Sequence, residues 1–115
     1  MKREDLFPSK YIKAADLGGK PLDVVIKSAG VETLKDMQGS NTDKLVLGFI
    51  NQPKLLVVNK TNYEAIAELH GEETDNWPGK RIQLYPDKAS LGGKSVAAVR
   101  VRAPLGDALN DSIDI

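Results

Sequence analysis

Two short segments carry the side chains best suited to chemistry. Arg81, Gln83 and Tyr85 alternate with Ile82 and Leu84, and Arg100 and Arg102 alternate with Val99 and Val101. Successive side chains of an extended strand point to opposite faces, so each set shares one face, away from an apolar one. If the two segments are neighbouring strands, their outward side chains form one basic surface with a ring on it. Cations for phosphate and a ring for stacking are what single-stranded nucleic acid requires. Lys88 and Lys94, between the two segments, extend the track, as do Lys35 and Lys44 around an earlier loop. Trp77, in Asn-Trp-Pro-Gly-Lys, either packs under a helix as a core anchor or lies exposed as a stacking platform. Aromatic residues make up only 5% of the chain, so stacking would rest on few rings, and an ordinary solvated strand face is the alternative for the whole set.

Catalytic arrangements are missing. His70 is the only histidine, and its place at a helix C-terminus suits capping and the helix dipole better than a triad or a metal site. Glu72, Glu73 and Asp75 lack the alternating oxygen ligands and the glycine of a calcium loop and read as a solvated turn. Gly18-Gly19 and Gly92-Gly93 lack phosphate-loop spacing and are turns. The absence of cysteine excludes disulfides, thiolate metal sites and cysteine nucleophiles. The expectation is a non-enzymatic protein with no cofactor and no metal.

These side chains need elements to position them. Lys54 to Asn59 contains Leu55-Leu56-Val57-Val58, a short apolar run of the kind found in a strand covered on both sides. Thr61 and Glu64 have capping-box spacing, Ile66 and Leu69 with Ala65 form a narrow apolar stripe, and Gly71 suits the C′ position. A helix of about ten residues is expected there, too short to stand without packing. Upstream, Leu22 to Leu34 reads as a long strand with Leu22, Val24 and Ile26 inward, interrupted at Gly30, where a bulge or bend is expected. Lys35 to Asp43 reads as an exposed hairpin loop, and Lys44 to Ile50 as a strand with Leu45, Leu47 and Phe49 on one face. Downstream, Arg81 to Tyr85 is a strand, Pro86 to Gly93 an exposed loop, and Lys94 to Ala103 the last strand, ended by Pro104.

At 115 residues the chain fits one domain. Residues 1–10 read as a flexible arm anchored by Tyr11-Ile12, residues 11–104 as the domain, and residues 105–115 as an acidic disordered tail. Net charge is zero but uneven: the chain carries a surplus of three positive charges up to Arg102, and Asp107, Asp111 and Asp114 follow. The N-terminal residues hold no apolar core of signal-peptide length and no run approaches a membrane span. A cytoplasmic protein with no membrane contact is the expectation.

The order strand, strand, strand, helix, strand, strand implies a mainly β domain. It matches the OB-fold, a five-stranded Greek-key barrel, with one short helix between strands 3 and 4; an SH3-like barrel or an α+β roll is the alternative. The segments Leu56-Val57-Val58-Asn59-Lys60-Thr61-Asn62, Leu69-His70-Gly71 and Trp77-Pro78-Gly79-Lys80-Arg81-Ile82-Gln83-Leu84-Tyr85, with the later Arg100-Val101-Arg102, resemble small bacteriophage- and prophage-encoded proteins. That resemblance implies a phage or bacterial cytosolic setting and a place in phage DNA metabolism, and it transfers no catalytic residue. Two functions stay open: a module binding single-stranded nucleic acid with little sequence preference, and a protein-interaction or assembly module that engages a phage or host protein.

Overall fold

The structure, a computed structural model, describes residues 10–35 and 38–104; the arm before Lys10 and the acidic tail lie outside the described residues. Five strands form one antiparallel sheet in the order β3-β2-β1-β4-β5, where β1 is Leu22–Lys35, β2 Asn41–Phe49, β3 Leu56–Val58, β4 Arg81–Leu91 and β5 Lys94–Arg102. Among the described residues the one α-helix, α1 (Lys60–His70), lies between β3 and β4 in the chain, followed by a short 3₁₀ turn at Thr74–Asn76. Three consecutive strands followed by a fourth that returns beside the first make a Greek key. The sheet curls into a half-barrel. Its edge strands β3 and β5 are not paired with each other, so the closed barrel that the strand count suggests does not form.

β1 makes the curl possible. Its first half pairs with β4 (Leu22↔Leu84 to Val25↔Arg81) and its second half with β2 (Ser28↔Gly48 to Lys35↔Asn41). The register slips between Ile26↔Phe49 and Ser28↔Gly48, placing an extra residue, Lys27, in β1. Such a bulge bends a strand and sharpens its twist. It also swaps the faces. Val24 and Ile26 point into the core before it, and Ala29 packs against the core after it. The irregularity expected at Gly30 is therefore three residues earlier, and Gly30 pairs in register with Val46.

α1 begins earlier than its capping-box spacing suggests. Asn59 is the N-cap, and its Oδ1 accepts the Asn62 N–H at 2.9 Å; an asparagine two residues upstream supplies the same acceptor and starts the helix first. Thr61 is exposed and caps nothing. Gly71 ends the helix at φ 92°, its N–H donating to Ala67 O. The buried stripe is Asn62 and Ile66, with Tyr63 and Ala65 packed against the core, while Leu69 is 37% exposed. At i and i+4, Asn62 and Ile66 sit one above the other on the helix face turned to the sheet, and Leu69, three residues after Ile66, continues that stripe in the last turn of the helix, where it is more than a third exposed.

Trp77 is a core anchor. Its ring is 0% exposed, lies 5.6 Å from the Tyr63 ring, and its Nε1–H donates to Gly71 O at 2.8 Å. The turn after it docks on the bulge: Gly79, at φ 89°, donates its N–H to Ile26 O, and the Ile26 N–H donates to Lys80 O.

The loop expected from Pro86 to Gly93 is largely strand. β4 runs on to Leu91 and turns through Gly92-Gly93, at φ 57° and 79°, the positive-φ pair a two-residue hairpin favours. Pro86 is tolerated because β1 stops pairing with β4 at Leu84, so beyond it β4 has β5 on one side only and a proline costs no ladder bond on the open side. Among the described residues no helix is long and apolar enough to cross a membrane.

Candidate nucleic-acid interface

The last two strands are neighbours, with Gln83↔Arg102 and Tyr85↔Arg100 as cross-strand pairs. Ile82, Leu84 and Val101 turn into the core, which leaves Arg81, Gln83 and Tyr85 of β4 beside Arg100 and Arg102 of β5 on the outer face. The register therefore assembles in space what the sequence spaces out along the chain. Ion and ring meet directly: the Arg102 guanidinium carbon sits 4.3 Å from the Tyr85 ring centroid, within cation–π range.

Arg102 is held there. Its Nε–H donates to Gln83 Oε1 at 2.6 Å, and Gln83 Nε2–H donates in turn to Asp23 Oδ1 at 2.8 Å. Gln83 is 6% exposed, so it points outward yet lies underneath Arg102 as a buried bracket between β1 and β5. Asp23 is the residue that strand reading missed. It enters through the pairing of β1 with β4, which places it opposite Gln83, and only the register reveals that.

The remaining candidates divide. Arg81 is exposed at the start of β4, opposite Val25 of β1, and its carbonyl accepts the His70 Nε2–H at 2.8 Å. That bond gives His70 a structural duty in joining α1 to β4. Lys94 lies two-residue steps from Arg100 and shares its face at the far end of β5. Lys88 pairs with Ala97 and alternation puts it on the opposite face from Tyr85, so it does not join this track. Trp77 is in the core and offers no surface for a base. Lys35, at the far end of β1, and Lys44 of β2 lie on the β1–β2 hairpin, beyond the part of β1 that pairs with β4.

The face thus presents Arg81, Arg100, Arg102 and Lys94 against two carboxylates, Asp23 and Asp87, the latter opposite Ala98. Asp23 is engaged by Gln83, and Asp87 Oδ1 accepts the Lys88 backbone N–H at 2.8 Å. Among the described residues no group of His, Asp and Glu is placed to hold a metal ion. No family model, curated protein or solved structure matches the chain.

Proposed function

We propose that the outer face of β4 and β5 binds single-stranded nucleic acid with little sequence preference, on a half-barrel of OB-fold type and without catalysis. The fold assignment rests on the Greek-key strand order and on the one α-helix among the described residues, between β3 and β4. The setting we propose is the phage or bacterial one that the resemblance implies.

The observation that carries the reading is the Arg102–Tyr85 stack. A guanidinium is planar, and with its carbon 4.3 Å over the ring centroid and its Nε–H tied to Gln83 it is pre-organised. Its exposed side is a platform on which any base can stack, because every base has a π-face. Arg100 and Lys94 lie along β5 at even steps, and each two-residue step is about 6.7 Å, so they meet phosphates of an extended strand as it passes. None of these contacts reads a base edge, which accounts for the weak sequence preference.

The test is a titration of a fluorescein-labelled oligothymidylate at several salt concentrations. Each phosphate contact on a single strand contributes roughly 0.7 to the slope of log affinity against log salt. Wild-type chain should show a slope above one, and Arg100→Ala should lower it by about 0.7 while weakening all sequences alike. Equal affinity in wild type and in an Arg100→Ala, Arg102→Ala double variant removes this face from consideration.

A further inference from the structure

The seam of the half-barrel carries a second feature, independent of the basic face. Between the two edge strands lies a groove of about 520 Å³ lined by Ala14, Val57, Asn62, Ala97 and Val99 among others. Its two walls are strand edges. On β5, the Val99 carbonyl accepts Asn62 Nδ2–H at 2.9 Å, so the Val99 backbone groups point away from β4. Backbone direction alternates along an antiparallel ladder, so Ala97 and Ser95 also turn their N–H and C=O outward. Pro86, opposite Val99, agrees with this, since no ladder donor is needed at that pair. Among the described residues no backbone hydrogen bond outside the β4–β5 ladder reaches Ala97 or Val99.

The facing edge already shows what such a wall accepts. Leu55 N–H donates to Lys10 O at 2.8 Å and Leu55 O accepts the Ile12 N–H at 2.7 Å, in a parallel bridge with Tyr11. A peptide backbone is thus added at Leu55, the residue just before β3, and Val57, two residues on, turns its groups to the same side. Between the walls sits Asn62, 2% exposed. Its orientation is set because a carbonyl only accepts, so Nδ2 must face Val99 O; its Oδ1 is then left buried with no partner. A buried polar atom without a partner is costly and uncommon in a native fold.

We infer that this groove receives an extended polypeptide strand of a partner protein, which adds to the β5 edge at Ser95 and Ala97, up to the point where Asn62 covers the Val99 carbonyl. Backbone hydrogen bonds would carry the affinity, as in other strand additions to a sheet edge. The lining chemistry selects the occupant. Ala14, Ala15, Ala97 and Ala98 leave room for a backbone with small side chains, and the one charged lining residue is Lys13, which suits a neutral or acidic segment. The groove has no aromatic side chain and no run of cations, so it lacks what a nucleic acid strand needs.

The probe is a synthetic alternating Ala/Val heptapeptide flanked by aspartates, titrated into the full ¹⁵N-labelled chain. Amide shifts should concentrate at Ser95, Ala97, Val99 and Val57, and exchange of the Ala97 N–H should slow on binding. The same peptide N-methylated at alternate residues should not bind, because backbone donors are what the edge reads. Ala97→Pro removes an outward donor and no β4 ladder bond, and Ala15→Trp fills the groove; each should weaken the peptide at least tenfold. No binding, equal binding of the N-methylated peptide, or unchanged affinity in both variants overturns the inference. So do shifts at these amides with an oligothymidylate and not with the peptide, which would make the seam a nucleic-acid site.

Discussion

Gln83→Leu separates positioning from charge at the proposed nucleic-acid face. The substitution keeps side-chain bulk and net charge but removes the acceptor that holds Arg102 at 2.6 Å and the donor that meets Asp23 at 2.8 Å. Asp23 and Arg102 are both exposed, so each recovers water on losing Gln83, and an apolar side chain suits the buried position. A stability loss of no more than about 1 kcal/mol is expected, within the net worth of an ordinary hydrogen bond. Binding should suffer more, because Arg102 then samples many rotamers in place of one stack over Tyr85. Base stacking is worth about 1–3 kcal/mol per base, so loss of the ordered platform corresponds to roughly a 5- to 150-fold weaker oligothymidylate complex. The salt slope should stay at its wild-type value, since no cation has gone, whereas Arg100→Ala should lower it by about 0.7. Adding Gln83→Leu to Arg102→Ala should then cost little more, as expected of two residues that act through one contact. Fluorescence anisotropy at three salt concentrations, with urea midpoints for stability, reads all of this. Unchanged affinity in Gln83→Leu would refute the bracket, and a reduced slope would mean that Gln83 acts through something other than the placement of Arg102.

Four further outcomes follow from the fold. Ile66→Ala should cost about 2–5 kcal/mol in urea denaturation by opening a cavity in a fully buried site, and Leu69→Ala, at a position more than a third exposed, clearly less; equal losses would contradict the burial difference between the two positions. Asn59→Ala should cost about 1 kcal/mol and Thr61→Ala far less, measured the same way, because only Asn59 accepts a helix N–H. Trp77 emission should be blue-shifted, resistant to acrylamide, and unchanged on saturation with oligonucleotide, as its ring is in the core; quenching by bound oligonucleotide would contradict this. The Asp16 pKa is lowered, first by the Lys13 backbone N–H it accepts at 2.8 Å and then by Lys54. Its carboxylate therefore adds stability above the ordinary value of 3.8 that disappears as the pH falls through the lower folded value, and Asp16→Asn should flatten that acid limb of a melting-temperature profile.

The sequence by itself determined the parts whose cause is local. Alternation placed Val24, Ile26, Leu47, Ile82, Leu84 and Val101 inward, because a strand's side-chain period is a property of its own backbone. A helix ending at Gly71 followed in the same way, since a positive-φ terminator works within one turn. The outward set Arg81, Gln83, Tyr85, Arg100 and Arg102 was legible for the same reason. Tertiary structure decided whatever depends on which segment lies beside which. The bulge at Lys27 rather than Gly30 is set by how β1 divides its pairing between β2 and β4, and no residue near Gly30 records that division. β4 runs through Pro86 because β1 leaves that side open, and this extension sends Lys88 to the other face. Asp23 joins Arg102 through Gln83 across three strands, a contact spanning 79 positions that no local spacing could signal. The open seam between β3 and β5 was settled last, because closing a sheet on itself depends on the twist and curl of every strand between its edges.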